Sequence, residues 1–246
     1  MDFIDGRSWW SSALLIAALA SVIIPPLGAL GTRFGLWGVI AGFKWISLGV
    51  ILAALAVVLG CIAAVYAHKT GLGTDRNIAL ISIVIGIVVC GIVATPALKS
   101  RGLPRIHNIS TDTQAPPQFV SLVAEREAAN ANPHTYDPNV LAAPQRTAYP
   151  DVQPFISNLS IDKAVDRVSE ILRQQGIEIV NLDRDQGLIE ATDTTFWFGF
   201  KDGVVVRVRE HEQGSIVDIR SVSRVGKSDL GKNAKRIEAI LSALKN

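Results

Sequence analysis

The sequence predicts a three-span α-helical membrane anchor followed by an α+β C-terminal domain. That domain is a four-stranded antiparallel meander covered by two helices, with a Pro-rich strap. Three observations predict this. Residues 1–98 carry only Asp2, Asp5, Arg7, Arg33, Lys44, Lys69, Asp75 and Arg76, whereas the other 148 residues hold 19 basic and 19 acidic side chains. Three stretches of the first part lack charge for the roughly 20 residues a helix needs to cross a bilayer. Beyond residue 158, the apolar residues switch from helical spacing to strand alternation and back. With 49% hydrophobic residues, 19% charged residues and a net charge of +2, the chain is not disordered, collagen-like, a disulfide framework or a wholly soluble domain.

Residues 1–98 form the transmembrane region, with spans at about 10–31, 45–67 and 77–98 inside the uncharged stretches Ser8–Thr32, Trp45–Ala67 and Asn77–Leu98. A cleavable signal peptide is the alternative for the first span. It fits poorly, because Asp2 and Asp5 replace a basic leader and Pro25-Pro26 interrupts the apolar run. The first helix is expected to kink or end near Pro25. Trp9, Trp10, Trp37 and Trp45 sit at span ends, where amphipathic rings settle at headgroup level. Ala56, Gly60 and Ala64 form one ridge of small residues, and Ser82, Gly86, Cys90 and Ala94 another. Such ridges let helices approach closely, although alanine and glycine are common in membrane helices anyway. Spans two and three contain no carboxylate or histidine, which favours an anchor over a transporter. Cys61 and Cys90 lie at depths differing by roughly 10 Å in antiparallel helices, too far apart for a disulfide.

Residues 99–158 form the Pro-rich arm, with eight prolines between 102 and 156. Ile106, Ile109, Phe119, Tyr136, Tyr149 and Phe155 distinguish it from a flexible linker. It is expected to wrap the domain as an ordered strap, with a short helix around Gln118–Asn130. Residues 159–246 form the α+β domain. Ser160 is a plausible N-cap, and 3/4 spacing runs to Gly176. Strand-like runs follow at Ile177–Leu182, Leu188–Thr195 continuing into Phe196–Phe200, Val204–Arg209 and Ser215–Val222. Asp202-Gly203 and Gln213-Gly214 supply turn chemistry between them. A last helix begins near Ser228, with Leu230, Ala234, Ile237, Leu241 and Leu244 on one face. No helix separates the strands, so a parallel sheet is excluded.

Four blocks carry a resemblance: Ile106–Thr113, Pro116–Phe119, Ala191–Phe200 and Val217–Gly231. They resemble the signature blocks of the family called domain of unknown function 1499, and Gly31–Trp37 resembles the membrane region often attached to it. The resemblance implies a bacterial or plastid protein without an assigned reaction. A positive-inside count of three charges against five leans toward a cytoplasmic C-terminal domain. Some members of the family look exported, which implies the periplasmic side of a bacterial inner membrane, and we follow the family.

For chemistry, His107 with Thr111 and Asp112 suits either an acid–base group or a tether between arm and sheet. Asp193 with Thr194 and Thr195 suits either a polar-ligand site or a self-satisfied turn. Gly226-Lys227-Ser228 lacks the first glycine of a phosphate-binding P-loop, since Ser221 stands there. No serine sits in a Gly-x-Ser-x-Gly elbow, and the four scattered histidines do not suggest a metal site. Alternation puts Phe196, Phe198 and Phe200 in the core. It turns Trp197 outward, toward Arg207, Arg209, Asp218 and Arg220.

Residues 220–246 carry a net charge of +5 around the start of the last helix, against −5 for residues 99–219. A ligand-binding set of Trp197, Arg220, Ser223, Arg224, Lys227, Ser228 and Lys232 follows, aimed at an anionic group. The expected partners are the lipid bilayer and an anionic lipid, a glycan or an envelope protein, with no nucleic acid and no cofactor. The function these features suggest is a membrane-anchored binding or scaffold module of the cell envelope. The alternative is a hydrolase-like envelope enzyme using His107 and Asp112 with the basic segment.

Overall fold

A computed structural model describes residues 7–245, so Asp2 and Asp5 lie outside the described residues. The chain divides into two compact units. One is Met1–Lys99 with Phe196–Gly199, and the other is Ser100–Thr195 with Phe200–Asn246.

The first unit holds α1 (Trp9–Arg33), α2 (Val39–Lys69) and α3 (Gly73–Lys99), each long and apolar enough to cross a membrane. Helix α1 does not end at the proline pair. It continues through Pro25 and Pro26 to Arg33, and Gly49 of α2 leaves room for the Pro25 ring that a methyl group there would strike. Ala53, Ala56 and Gly60 of α2 and Ala79, Ser82 and Gly86 of α3 are buried. A Cβ at Gly86 would stand 2.5 Å from the Ala53 carbonyl oxygen, so the two backbones meet directly, as small-residue pairing requires. Ala64 and Cys90, at the far ends of the expected ridges, are half-buried, and Ala94 is exposed. Helix α3 starts before the expected span and takes Asp75 into its first turn. There the carboxylate accepts hydrogen bonds from Ser8 Oγ (2.7 Å) and Ser11 Oγ (2.6 Å). Cys61 and Cys90 are both free.

The second unit begins with β1 (Asn108–Ser110), α4 (Leu122–Ala128), α5 (Pro138–Ala148) and β2 (Phe155–Ser157). It continues with α6 (Ile161–Gln174), β3 (Glu178–Asp183), β4 (Leu188–Thr194), β5 (Lys201–His211), β6 (Gly214–Ser223) and α7 (Lys232–Lys245). The sheet is antiparallel, in the order β1-β6-β5-β4-β3, with β2 also pairing β6. It therefore has six strands, where the alternation pattern predicts four. The additional two are three-residue strands from the Pro-rich segment, too short for periodicity to reveal. One sheet face, with Ile189, Val204, Val206, Val208, Val217 and Ile219, packs on α6 and α7 through Val165, Val168, Leu172, Ile237 and Ile240. On the other face Phe119 and Leu122 pack on Val205 and Val222.

Three local readings need correction. Phe196–Phe198 form the turn between β4 and β5 instead of a strand, and Phe196 and Trp197 are exposed. Gly199 (φ +66°) supplies the left-handed residue there. Asp202 and Gly203 are consequently strand residues, opposite Asp193 and Thr192 in register. Gly203 serves packing: a Cβ there would lie 3.1 Å from the Phe119 ring and 3.2 Å from Arg126 Nη1. Helix α7 begins at Lys232, and Leu230 (φ +56°) is exposed. The Asp229 carboxylate accepts from the backbone N–H groups of Gly231 (2.9 Å) and Asn233 (2.8 Å), which fixes the start beyond Leu230.

Glu190 has no water contact, and its two oxygens accept from the backbone N–H groups of Ser121 (2.7 Å) and Leu122 (3.0 Å). Glu190→Ala removes the acceptor of both donors, of which Leu122 N is buried, at a cost of about 2 kcal/mol. We expect melting of the full chain in detergent to fall by roughly 4–8 °C. Glu190→Gln, which keeps one acceptor oxygen, should lose less. An unchanged melting temperature in Glu190→Ala would show that water replaces the carboxylate.

Candidate functional site

Antiparallel pairing of β1 with β6, with Asn108 opposite Val222, delivers the preceding residue His107 to the end of β6. The His107 carbonyl accepts from Ser223 N (2.9 Å) and Asn233 Nδ2 (3.0 Å). Beyond Ser223 the chain crosses to α7 through residues 224–231. Asn132 holds that crossing with its backbone N–H on the Arg224 carbonyl (2.8 Å) and its Nδ2 on the Gly226 carbonyl (2.7 Å). Helix α4 contributes Arg126, one turn beyond buried Leu122 and on the same inward face. Its Nη1 donates to Val222 O (3.2 Å) and its Nη2 to Asn132 O (3.0 Å). The His107 ring meets the carbonyls of Pro133 and Lys227, near Asp229 and Arg126. His107, Arg126, Asn132, Arg224 and Lys227 therefore meet around the β6–α7 connection.

The electrostatics are strained toward positive charge. Arg224 is only 8% exposed; its Nη1 donates to Glu125 Oε1 (2.9 Å), while Nε and Nη2 have no partner. Arg126 is 1% exposed and its Nε likewise lacks a partner. Burial, then the Arg224 charge, push the Arg126 guanidinium down to about 10, with Asp202 opposing. The hydrogen bond from Arg224 holds the Glu125 carboxyl below its ordinary range. Burial lowers His107, against the raising effect of the two carbonyls and Asp229.

The remaining sequence-derived residues are distributed as follows. Ser223 Oγ accepts from Asn233 Nδ2 (3.0 Å), and Ser228 Oγ from Leu230 N (3.3 Å). Lys232 opens α7. These three share the β6–α7 segment with Arg224 and Lys227. Arg220 lies on the opposite sheet face from Ser221 and Ser223 and is fully buried. It donates to Asn108 Oδ1 (3.0 Å), Pro117 O (2.9 Å) and His134 O, with its guanidinium over the Phe119 and Tyr136 rings. Trp197 sits in the β4–β5 turn and not on the sheet face beside Arg207, Arg209, Asp218 and Arg220. Asp112 bridges to Arg207 (3.3 Å), and Asp193 accepts from Arg236 Nε (2.7 Å). His107 and Asp112 lie on either side of β1 with different partners, and Asp112 is not among the charges that act on the His107 ring. Among the described residues no group of three or more His, Cys, Asp or Glu is placed to hold a metal ion. A cavity of about 590 Å³ lies elsewhere, between Phe155, Leu159, Arg167 and Leu244.

Arg126, Asn132 and Asn233 escape sequence reasoning. An arginine in a short helix reads as solvated, and only its four-residue step from Leu122 hints that it faces inward. A family model described as a protein of unknown function (DUF1499) matches residues 108–244. That is more than half of the chain, and the chain belongs to this family. No curated protein matches it.

The depressed His107 value sets a pH dependence. Because the folded-state value lies below the ordinary 6.5, stability is fully present above about 6.5 and is lost as pH falls through the folded value. The wild-type chain should therefore lose more melting temperature between about pH 7.5 and 5.5 than His107→Gln does. Parallel profiles for the two proteins would show that the His107 ring is not desolvated.

Proposed function

We propose that the chain is a membrane-anchored binding module of the bacterial cell envelope, and that it recognises an anionic group at the β6–α7 connection. One observation carries this reading: Arg224 and Arg126 keep three buried guanidinium nitrogens without a hydrogen-bond partner. A dry donor costs about 1–3 kcal/mol, and more when it is charged. An oxyanion satisfies such donors with charge-assisted bonds and offsets the repulsion between the two cations. Lys227 and Lys232 add positive charge on the same segment. The Pro-rich segment acts as the strap that presents His107, Arg126 and Asn132 to it. Arg220 supports that role, since it donates to Asn108, Pro117 and His134 at three separate points of the segment.

The hydrolytic reading has less behind it. It needs Asp112 beside His107, and Asp112 is instead engaged by Arg207, with its other oxygen accepting from Gln114 N (3.0 Å) and Ala115 N (2.9 Å).

The test is titration of the full chain in nonionic detergent with inorganic phosphate, read by melting temperature. A ligand at about 100 times its dissociation constant stabilises by about 2.7 kcal/mol. The wild type should show a salt-sensitive rise that Arg224→Leu abolishes and Arg224→Lys reduces, since lysine keeps the charge but loses the fork. Absence of any rise, or a rise surviving in Arg224→Leu, would remove the site. For orientation, we take the domain as periplasmic, on the resemblance to a family with exported members. A reporter active only in the cytoplasm, fused after Asn246, should be silent, and a bright signal would reverse that placement.

A further inference from the structure

The β4–β5 connection is unusual for a hairpin turn in having an aromatic tip. Phe196 is 69% exposed and Trp197 51% exposed, and their rings meet edge to face with centroids 5.2 Å apart. Turn positions are ordinarily filled by Gly, Asn, Asp, Ser or Pro, because these residues suit the backbone and leave water undisturbed. Here only Gly199 meets that backbone need, and Phe196, Trp197 and Phe198 stand beside it. Neither Phe196 nor Trp197 belongs to a core cluster of the sheet. Burial on folding therefore does not account for them. Lys201 follows at the base of the turn, with its side chain half exposed.

We propose that the Phe196–Trp197 tip is an interfacial membrane anchor, seated among the lipid headgroups of a bilayer. The occupant is identified by chemistry. Tryptophan and phenylalanine at the end of a rigid hairpin place an apolar body and a polar indole N–H at the depth where such rings concentrate. A bilayer is also the partner that the rest of the chain brings with it. Three helices of this chain are long and apolar enough to cross one. Only residues 100–107 connect α3 to β1, a reach of at most about 28 Å when fully extended. Phe196–Gly199 moreover belong to the same compact unit as those helices, so the tip meets lipid at a high effective concentration and a modest gain per ring suffices. This proposal does not involve the arginine site and stands or falls separately.

The chain has five tryptophans, and Trp197 is the one that lies outside residues 1–98. Replacing Trp9, Trp10, Trp37 and Trp45 by phenylalanine leaves Trp197 as the sole tryptophan of the full chain, excited selectively beyond the tyrosine absorption. In vesicles of phosphatidylcholine with phosphatidylglycerol, its emission should be blue-shifted and quenched by brominated lipid. Aqueous iodide should quench it several-fold less than free tryptophan. Strong iodide quenching with no effect of brominated lipid would place the tip in water. Protection from both quenchers would mean that protein covers it, and either result overturns the proposal. Should the four substitutions prevent folding, a nitroxide at Lys201→Cys, with Cys61→Ala and Cys90→Ala, gives the second reading. Its oxygen accessibility should exceed that of a water-exposed label and should fall toward that value when Phe196→Ser and Trp197→Ser are added. An unchanged accessibility would equally overturn it.

Discussion

Arg220 has its guanidinium shut away from water, and it meets that constraint with backbone carbonyls and one amide instead of a carboxylate. Its Nε donates to Asn108, and its two terminal nitrogens reach the carbonyls of Pro117 and His134. These three partners span 27 of the 60 residues of the Pro-rich arm, so one side chain of β6 ties down nearly half of it. The Phe119 and Tyr136 rings lie over the same cation, a contact that strengthens where water is excluded. Burial pushes this guanidinium down to about 10, aided by the nearby Arg126 charge. That still leaves it charged near neutral pH. Replacing it with an apolar residue would leave two carbonyls and an amide to find other donors, so the loss would spread along the segment.

The buried arginines divide into two kinds, and the division gives the candidate site its meaning. Arg236 on the α7 side is conventionally neutralised. It bridges Asp193 and Asp202 (2.9 Å), which stand opposite each other in the β4–β5 register and would otherwise repel. Its remaining Nη1 bonds Ser221 and Asn233. The more exposed Arg207 and Arg209 likewise share the buried Asp218, at 2.8 and 2.6 Å. Arg220 is neutral-partnered but fully satisfied. Arg224 and Arg126 differ from all of these, because their carboxylate support is one half-exposed Glu125 that Arg224 shares with Lys201. Among the described residues, buried guanidinium nitrogens without a partner occur only in these two side chains. The same feature explains why α7's N-terminus is a poor anion site by itself: Asp229 already occupies its free N–H groups.

Regular elements were legible because periodicity reports them. Val204, Val206 and Val208 alternate with Arg207 and Arg209, and the two sets do face opposite sides of the sheet. Ser160 and Gly176 bracket α6: Gly176 (φ +72°) takes the left-handed position after it, and Ser160 stands at the N-cap without a side-chain hydrogen bond. Errors arose where a tertiary contact overrode a local signal. Asp202-Gly203 reads as a turn, yet Asp202 is claimed by Arg236 and Gly203 by the Phe119 ring. The turn moved to the aromatic run, which by composition reads as a strand. Helix α5 was invisible because Pro144 lies inside it, although Pro138 at its first turn and the Asp137 cap mark its start. Of the site, His107, Arg224 and Lys227 were legible as residue types. That Arg126 and Asn132 join them depends on contacts between segments nearly a hundred residues apart, which no local pattern encodes.

The position of His107 ties the charge balance of the site to pH. Burial lowers its pKa and outweighs the carbonyls of Pro133 and Lys227 and the Asp229 charge, which favour the protonated form, while the Arg126 charge opposes protonation. Protonating His107 would therefore add a desolvated cation near Arg126. An oxyanion at Arg224 and Arg126 works in the opposite direction: it favours the imidazolium, and by linkage the imidazolium favours the oxyanion. At the proposed site, the features that lower stability at low pH would thus be the ones that favour a negative ligand. Stability and the proposed binding would draw on the same few groups, Arg126 above all, and a substitution there would change both together.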